Sequence, residues 1–278
     1  MRVGFVGLGD QGEPMAQRIL EAGHHLAVYA RRPEQARPLI MRGAIAADSL
    51  GALAAHSEVL GVCVGTDDQV QQVADVVLPH MTAGSVLAVH STVAPQLCVR
   101  LAAAAPHGVE VLDAPVSGGR ARAFDGELTV MVGGPELPVQ QSLPVFETFG
   151  SPVLHVGPLG SGQVLKLVNN YLFAAQVAVT EQAIVLCREL GLDVALSMTA
   201  IASSTGSSRA NQMFVAGGCR SAFPRHSEGT THGARLLAKD IALMDGLLAD
   251  RKPPALLDSA ARAGLAVAFE AGAADDRG

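Results

Sequence analysis

Cysteine is scarce in this chain of 278 residues. The four cysteines, Cys63, Cys98, Cys187 and Cys219, lie far apart and form no CxxC pair. Scattered thiols of this kind argue against a disulfide framework and against a zinc site, and they suit a reducing compartment. The histidines show no ligand spacing either, so we expect no metal site.

Basic tracts and long apolar runs are also missing. The formal net charge is -6, so we expect no nucleic-acid partner. No run of 18 or more apolar residues offers a membrane span. The first residues, MRVGFVG, predict a strand rather than a signal peptide, and we therefore expect a cytoplasmic protein without a membrane partner. The composition, 49% hydrophobic and 17% charged, is typical of a globular protein.

Short apolar segments alternate with helical periods in the first part of the chain. The predicted strands are 2–6, 25–30, 59–65, 85–90, 109–116, 128–134 and 152–157. This alternation predicts an α/β fold with a doubly wound, mostly parallel sheet of the Rossmann type. The helix between the last two strands contains Pro138 and Pro144, so we expect it to be short or broken.

Helical periods alone continue from residue 162. The predicted helices are 163–190, 193–204, 233–250 and 254–271. We therefore predict a dinucleotide-binding domain over 1–161 and an all-helical domain over 162–278, which begins with the long interdomain helix 163–190. Residues 203–212, SSTGSSRANQ, are interpreted as a pocket loop or a turn.

A glycine-rich turn precedes the first predicted helix. Its residues are Gly7, Leu8, Gly9, Asp10, Gln11 and Gly12. This GxGxxG pattern follows a strand and opens a helix, which is the context that a dinucleotide fingerprint requires. Gly7 permits the tight turn, Gly9 lets a pyrophosphate approach the backbone, and Gly12 lets helix and strand pack closely. The turn predicts a dinucleotide whose pyrophosphate lies at the helix N-terminus.

The end of the second strand indicates which dinucleotide binds. NAD sites usually place an acid here, but this chain has Ala30 followed by Arg31 and Arg32. A guanidinium at this position pairs with a 2′-phosphate. We therefore expect NADP. NAD stays possible, because the two arginines could form only a solvated surface pair.

Five blocks follow one another along the chain. They are GFVGLGDQGEPMAQRIL (4–20), STVAP (91–95), DAPVSGGRARAFDGELTVMVGG (113–134), GPLGSGQVLKLVNN (157–170) and the weaker AKDIAL (238–243). In order and spacing they resemble the β-hydroxyacid dehydrogenases, the family of 3-hydroxyisobutyrate dehydrogenase, tartronate semialdehyde reductase and the glyoxylate/succinic semialdehyde reductases. The resemblance implies a Rossmann domain joined by a long helix to a helical domain like that of 6-phosphogluconate dehydrogenase.

The resemblance also implies roles for individual residues. Lys166 matches the catalytic lysine, and Asn170 matches the asparagine that orients the substrate. The segment that holds the substrate carboxylate corresponds to Ser117, Gly118 and Gly119. The positions beside the nicotinamide correspond to Ser91 and Thr92, and Lys239 with Asp240 matches a lysine–aspartate pair that closes over it.

The activity that the resemblance implies is the interconversion of a small 3-hydroxy acid and its semialdehyde or keto acid. Lys166 would accept the hydroxyl proton while hydride passes to the nicotinamide. A homodimer or higher homo-oligomer is expected. Two alternatives stay open. One is an imine reductase, a group of similar architecture that generally lacks the helix lysine. The other is a non-catalytic dinucleotide-binding protein on the same fold.

Two parts of the chain depart from the family pattern. Gln11 stands where the family usually has methionine. The segment 217–237 is the least typical, and it contains Arg220, Arg225, His226 and His232. Two interpretations of these four residues stay open: one of them reaches a second polar group on the substrate, or all of them are solvated loop residues.

Overall fold

The computed structural model of the protein describes residues 1–219, 221, 223, 229–249 and 251–275. The chain divides into two compact units, Met1–Lys166 and Leu167–Gly278. The division falls inside one helix of 29 residues, Ser161–Glu189. This helix is the one that the sequence predicts at 163–190.

Strands and helices alternate in the first unit. Its strands are β1 (Arg2–Val6), β2 (His25–Tyr29), β3 (Ile45–Ala46), β4 (Val59–Val62), β5 (Val86–Val89), β6 (Glu110–Asp113), β7 (Val116–Ser117), β8 (Leu128–Gly133) and β9 (Gly150–Gly157). Its helices are α1 (Gly12–Glu21), α2 (Pro33–Met41), α3 (Leu50–His56), α4 (Asp67–Val77), α5 (Pro95–Ala104), α6 (Gly119–Asp125) and α7 (Glu136–Phe146), with a 3-10 turn at Leu78–His80.

The nine strands form one sheet. Six of them run parallel in the order β3-β2-β1-β4-β5-β6. Beyond them β8 is antiparallel to β6 and β7, and β9 is parallel to β8. This order is that of dinucleotide-binding doubly wound sheets, in which ligands bind beyond the carboxyl ends of the strands, where the strand order reverses. Here the reversal lies between β1 and β4, and the predicted fold class is confirmed.

Strands β4 and β5 are buried over their whole length, as expected of parallel strands covered by helices on both faces. Successive residues of β1 serve different faces: Phe5 joins one apolar cluster and Val6 joins another. The continuous apolar runs that predicted these strands therefore reflect burial on two sides. Strand β3 was not predicted, because two residues are too few to show a period. The strand predicted at 109–116 is divided into β6 and the two-residue strand β7.

The helix between β8 and β9 corrects the expectation that it is short or broken. It runs without interruption over 11 residues, Glu136–Phe146. Pro138 lies in its first turn, where the missing N–H would have no partner in the helix. Pro144 lies in the last turn, where it removes a backbone hydrogen bond without ending the helix.

The second unit consists of helices. They are the rest of α8 (Ser161–Glu189), α9 (Val194–Ala202), α10 (Arg209–Ala216), α11 (Thr230–Leu247) and α12 (Ala255–Asp275). Helix α10 was not predicted as a helix. The turn at 203–208 precedes it, and Ser208 caps it by accepting a hydrogen bond from the Asn211 N–H at 3.2 Å. Among the described helices, none has both the length and the apolarity needed to cross a membrane.

A polar cluster fastens three helices of the second unit to one another. The Tyr171 hydroxyl on α8 donates to Asp258 on α12. Arg262, one turn further along α12, donates to Asp258 at 3.0 Å and to Asp245 on α11 at 2.9 Å. Beside this cluster α12 lies close to α8, because a Cβ at Gly264 would lie 1.8 Å from the Ala174 carbonyl oxygen.

A buried imidazole follows β5 in the first unit. His90 stacks on Phe5 at a centroid distance of 6.0 Å and meets the edges of Phe146 and Phe149. Its Nδ1 lies 2.8 Å from the Ala114 carbonyl oxygen, and since a carbonyl only accepts, Nδ1 carries the proton. Burial lowers the pKa of His90 to about 4, although the bond to Ala114 opposes this shift.

We predict that the free energy of unfolding falls as the pH is lowered from about 6.5 to about 4. In this window the unfolded chain binds a proton at His90 that the folded chain refuses, which contributes a loss of roughly 3 kcal/mol. Urea denaturation at stepped pH measures it. His90→Gln keeps a donor for Ala114 without the titration, so its stability should fall less steeply. Equal pH slopes for the two proteins would contradict the assignment.

Candidate active site

Each of the three glycines in the turn between β1 and α1 is suited to its position for a different physical reason. Gly7 has φ +94°, and a Cβ there would lie 2.0 Å from the Cys63 carbonyl oxygen. A Cβ at Gly12 would lie 1.8 Å from the Gly7 carbonyl oxygen. At Gly9, by contrast, no heavy atom lies within 4 Å of the added Cβ. The open backbone at Gly9 and the adjoining N-terminus of α1 fit the pyrophosphate of a dinucleotide.

The other residues of this turn differ in exposure. Leu8 is buried in the apolar core, so it is the backbone of this residue that can face a ligand. Gln11 is the N-cap of α1 but makes no side-chain cap bond. The Asp10 carbonyl accepts from Arg120 Nη1 at 3.1 Å, and its carboxylate lies 3.9 Å from the same guanidinium.

Arg31 and Arg32 lie exposed between β2 and α2. Arg32 is the N-cap of α2, with an extended backbone, and Pro33 begins the helix. Within the described parts of the chain, neither arginine takes part in an ion pair. Both guanidinium groups therefore remain available to a phosphate beside the end of β2, where the ribose of a dinucleotide lies in such folds.

The residues after β5 are held in place from three directions. Ser91 Oγ accepts from the Val64 N–H at 2.8 Å, which ties the segment to the end of β4. Asp67 Oδ2 accepts from the Ala94 N–H at 3.0 Å. Gln163 binds the same segment from α8. We call residues 91–94 the Ser91–Ala94 loop. Because the Ser91 hydroxyl is buried and bonded to Val64, Ser91 acts by shaping this loop, which also contains the half-buried Thr92.

A buried carboxylate caps the start of α8. Asp113, the last residue of β6, is 0% exposed. Its Oδ1 accepts from the Gly160 N–H at 2.6 Å and its Oδ2 from the Gln163 N–H at 2.7 Å. Burial raises the pKa of this carboxyl group, while the amide donors of Gly160, Gln163 and Gly162 oppose the shift. The cap fixes the helix to the carboxyl end of β6.

Sequence reasoning missed both Asp113 and Gln163 as site residues. They lie 50 positions apart, so no local spacing connects them. A signal was present in the glycines, since a Cβ at Gly162 would lie 2.9 Å from Asp113 Oδ2 and 2.2 Å from the Met131 carbonyl oxygen. The glycines of the block 157–170 thus mark the close approach of α8 to the sheet.

Lys166 lies on α8 three residues after Gln163 and is 7% exposed. Asn170 follows one turn later on the same helix, so the two side chains share a helical face, as predicted. Asn170 Nδ2 donates to Asp240 Oδ2 at 2.6 Å, and Asn170 Oδ1 accepts from Asn169 Nδ2 at 3.0 Å. These two bonds fix which way the amide points, because a carboxylate only accepts.

The predicted Lys239–Asp240 pair is present in the second unit. Lys239 Nζ lies 2.8 Å from Asp240 Oδ1. Asp240 Oδ1 has no hydrogen bond of regular geometry, so the contact is ionic rather than aligned. Asp240 is buried and joins Lys239 on one side to Asn170 on the other. Three of the predicted site residues and neighbours, Asn170, Lys239 and Asp240, are therefore brought together.

Ser117, Gly118 and Gly119 join β7 to α6. Gly118 has φ +148° and Gly119 has φ +77°, a backbone conformation that side chains rarely adopt. A Cβ at Gly118 would lie 2.9 Å from Leu128 Cδ2, whereas the space beside Gly119 is open. We call these three residues the carboxylate nest, because successive amides in such a conformation suit an anion.

Arg120 connects the carboxylate nest to the turn between β1 and α1. Its Nη2 donates to Glu13 Oε2 at 2.7 Å and its Nη1 to the Asp10 carbonyl. The guanidinium carbon lies 4.7 Å from the centroid of the Phe124 ring, which steadies it further. The first turn of α6 and the first turn of α1 are thus joined by one side chain.

The least typical segment is described only in part. Arg220, Arg225 and His226 lie outside the described residues. His232 is half-buried in the first turn of α11. Over the residues that the structure describes, no three His, Cys, Asp or Glu side chains gather in a way that could hold a metal ion.

Comparison with known proteins identifies the family. Residues 2–157 match the NAD binding domain of 6-phosphogluconate dehydrogenase, and residues 160–277 match the NAD-binding domain of NADP-dependent 3-hydroxyisobutyrate dehydrogenase. A 3-hydroxyisobutyrate dehydrogenase of Pseudomonas aeruginosa is 35% identical over 216 residues, which cover 76% of this chain and 72% of the relative. The chain belongs to the β-hydroxyacid dehydrogenase family.

Further relatives are also similar. An oxidoreductase of Mycobacterium tuberculosis is 37% identical over 197 residues, which cover 69% of this chain and only 66% of the relative. The solved structure of the 3-hydroxyisobutyrate dehydrogenase of the same organism with L-serine has a TM-score of 0.82 at 27% identity. That match covers 97% of this chain and 94% of the other.

Two further structures are informative about ligand and fold. Psf3 in complex with NADP+ and 2-OPP has a TM-score of 0.80 at 28% identity and covers 94% of this chain and 92% of that one. An imine reductase of Pseudomonas sp. has a TM-score of 0.67 at 19% identity and covers 97% of this chain and 94% of that one. The second likeness shows a shared fold alone.

We predict that Gly9→Ala and Gly12→Ala affect different properties. Gly9→Ala fills open space, so the melting temperature should stay unchanged while cofactor binding weakens by about 1–3 kcal/mol, or roughly 5–150-fold. Gly12→Ala drives a Cβ into the Gly7 carbonyl and should destabilise the protein itself. Thermal denaturation without cofactor and a fluorescence titration with it measure the two effects. Unimpaired cofactor binding by the Gly9→Ala variant would contradict the placement of the pyrophosphate.

Proposed function

We propose that the protein is an NADP-preferring dehydrogenase that interconverts a small 3-hydroxy acid and its semialdehyde or keto acid. The observation that carries the proposal is the anchoring of Lys166. This buried lysine lies in the first turns of α8, whose start is bonded to the end of β6 and to the Ser91–Ala94 loop after β5. A lysine fixed at the carboxyl ends of the strands suits proton transfer there.

Oxidation of a hydroxyl group needs a base as well as a hydride acceptor. The nicotinamide, when bound, supplies the acceptor of the hydride that leaves the carbinol carbon. We assign the hydroxyl proton to Lys166 Nζ, which returns it in the direction of reduction. Asn170, whose amide is held by Asn169 and Asp240, is assigned to orient the substrate oxygen.

The proposed substrate class rests on the carboxylate nest. Backbone amides beside two positive-φ glycines suit an anion without a cationic side chain. A 3-hydroxy acid carries a carboxylate two carbons from its carbinol, so the nest and Lys166 would bind the two ends of a short molecule. The relatives named for 3-hydroxyisobutyrate and solved with L-serine, both 3-hydroxy acids, support this size.

The proposed preference for NADP rests on Arg31 and Arg32. No carboxylate precedes them at the end of β2, where NAD sites usually place one. The relative Psf3, solved with NADP+, supports the same choice. The imine reductase alternative has a weaker basis, because its likeness is one of fold, while the helix lysine and the nest suit a hydroxy acid.

We also propose that the protein is a homodimer. Along α8 the exposed side chains Leu165, Leu172, Val179 and Leu186 recur every seven residues, and they are 38%, 48%, 63% and 54% exposed. An apolar stripe with this period is typical of a helix that packs against another helix. Light scattering during size-exclusion chromatography should give twice the chain mass. A Val179→Glu variant should shift it to the single mass, and a monomeric wild type would contradict the proposal.

We predict that Lys166→Ala lowers kcat for a 3-hydroxy acid by about 10²–10⁴-fold, the usual contribution of general acid–base catalysis. The pH profile of oxidation should lose the limb of the base. Lys166→Arg should not restore the rate, because a guanidinium does not release its proton in this range. The measurement is nicotinamide absorbance with a panel of small 3-hydroxy acids, with a cofactor titration to show that binding is intact.

Two controls sharpen this test. Lys239→Ala removes the lysine that pairs with Asp240 in the second unit, and it should leave the basic limb in place. Methyl esters of the same acids lack the charge for the carboxylate nest, so their KM should be higher. Near-normal turnover by the Lys166→Ala variant would show that another residue transfers the proton. Equal turnover of acids and esters would contradict the assignment of the substrate carboxylate to the carboxylate nest.

We predict that Arg31→Ala weakens NADP(H) binding by about 1.5–3 kcal/mol, the range for a charge-assisted hydrogen bond, and changes NAD(H) binding little. Fluorescence titration of both cofactors measures this. Arg37→Ala is the matched control, because it removes an exposed arginine of α2, the helix that follows Arg31, beyond its first turn. A wild-type preference for NAD(H) would show that Arg31 and Arg32 are only surface residues.

A further inference from the structure

Gln163 forms hydrogen bonds within the first unit through both polar atoms of its side chain and through its backbone N–H. The side chain is 0% exposed. Its Oε1 accepts from the Val93 N–H at 3.0 Å, and its Nε2 donates to the Ser91 carbonyl oxygen at 2.8 Å. Its own backbone N–H donates to Asp113. The residue therefore joins the Ser91–Ala94 loop to the start of α8.

The two side-chain bonds need one donor and one acceptor at the end of one side chain. A carboxylate would accept from Val93 but would face the Ser91 carbonyl without a proton to share. A methionine would leave a buried backbone N–H and a buried carbonyl unpaired. Among side chains of this length, only a carboxamide and a protonated carboxylic acid offer both a donor and an acceptor at the end.

Lys166 lies three residues after Gln163 on the same helix, so their side chains neighbour each other along α8. The Ser91–Ala94 loop is assigned to the nicotinamide, and Lys166 is assigned to the hydroxyl proton. In the oxidation that we propose, hydride and proton leave the two atoms of one C–O bond. The spacing between loop and lysine must therefore be held closely, because a misplacement of about 1 Å costs on the order of 100-fold in rate.

We infer that Gln163 is a positioning residue that holds the Ser91–Ala94 loop in register with Lys166. This inference rests on the proposed function, because that proposal assigns the proton to Lys166 and the nicotinamide to the loop. The competing interpretation is that Gln163 only stabilises the loop. Asp67 allows the two to be separated, because it binds Ala94 of the same loop from α4, which does not carry the lysine.

The test compares Gln163→Met, Gln163→Glu and Asp67→Ala in the full-length protein. Thermal denaturation and cofactor titration show whether each variant folds and binds. Steady-state kinetics with a 3-hydroxy acid, with and without deuterium on the carbinol carbon, measure the chemical step. We expect Gln163→Met to lower kcat by about 10–100-fold, with cofactor Kd within about 3-fold and a larger isotope effect. Asp67→Ala should lower the melting temperature but reduce kcat far less.

Gln163→Glu supplies a signature that loop stabilisation alone would not give. Its protonated carboxyl group has the donor and acceptor of the amide, so the ratio of its kcat to that of the wild type should fall as rising pH ionises it. The ratio for Gln163→Met should stay flat. Equal losses of kcat in Gln163→Met and Asp67→Ala, or a flat ratio for a folded Gln163→Glu variant, would overturn the inference.

A failure of the proposed function would look different. In that case the wild-type protein would oxidise none of the 3-hydroxy acids, although it bound the cofactor. If the wild type turns over an acid and Gln163→Met does so equally well, the inference about Gln163 fails while the function stands. Gln141→Met serves as the matched substitution, because it removes one bond to the Gly84 carbonyl, near the opposite ends of the strands.

Discussion

The contact between the Asp113 carboxylate and the first amides of α8 fixes the start of that helix at the edge of the sheet where we propose that the chemistry takes place. One carboxylate bonds the N–H groups of Gly160 and Gln163, which no residue inside the helix can pair. The negative charge also lies at the positive end of a 29-residue helix. Because the helix begins here and continues into the second unit, Lys166 has a fixed place beside the strand ends.

Burying the Asp113 carboxylate costs free energy of desolvation. Taking a carboxylate out of water disfavours its charged form, and burial raises the pKa of Asp113 despite its amide donors. The site is therefore not optimised for stability alone. A neutral residue would be easier to bury, but it would pair fewer of the helix amides. We interpret the retained charge as a device for registering helix against sheet, with Gln163 extending the register to the Ser91–Ala94 loop.

Much of the fold was accessible from the sequence because its signals are local. The turn at 7–12 has the GxGxxG spacing of a dinucleotide fingerprint. Continuous apolar runs predicted β4 and β5 as strands buried on both faces. The long helix α8 was predicted to within two residues at each end. The elements that the sequence did not predict are too short, or too polar around their start, to show a period. β3 has two residues, and α10 begins at a serine cap inside a polar segment.

The candidate site could be predicted only at residues that lie in the blocks resembling the family. Lys166, Asn170 and the carboxylate nest came from the family resemblance, and the structure adds the contacts that hold them. Those contacts join residues such as Asp113 and Gly160, 47 positions apart, so neither period nor spacing contains them. Their trace in the sequence is indirect. It lies in the glycines that let α8 approach the sheet, whose purpose appears only when a Cβ is placed on them.

The contacts of Arg120 link the two anion sites that we propose in the first unit, the turn between β1 and α1 and the carboxylate nest. Glu13 lies in the first turn of α1, where a carboxylate suits the helix dipole but competes with a pyrophosphate for the same amides. Arg120 binds that carboxylate at 2.7 Å and so offsets its charge. Since Arg120 follows Gly119 directly, the same bond sets the distance from the carboxylate nest to the turn. An ion pair this exposed adds little stability by itself, so its effect lies in geometry and local charge.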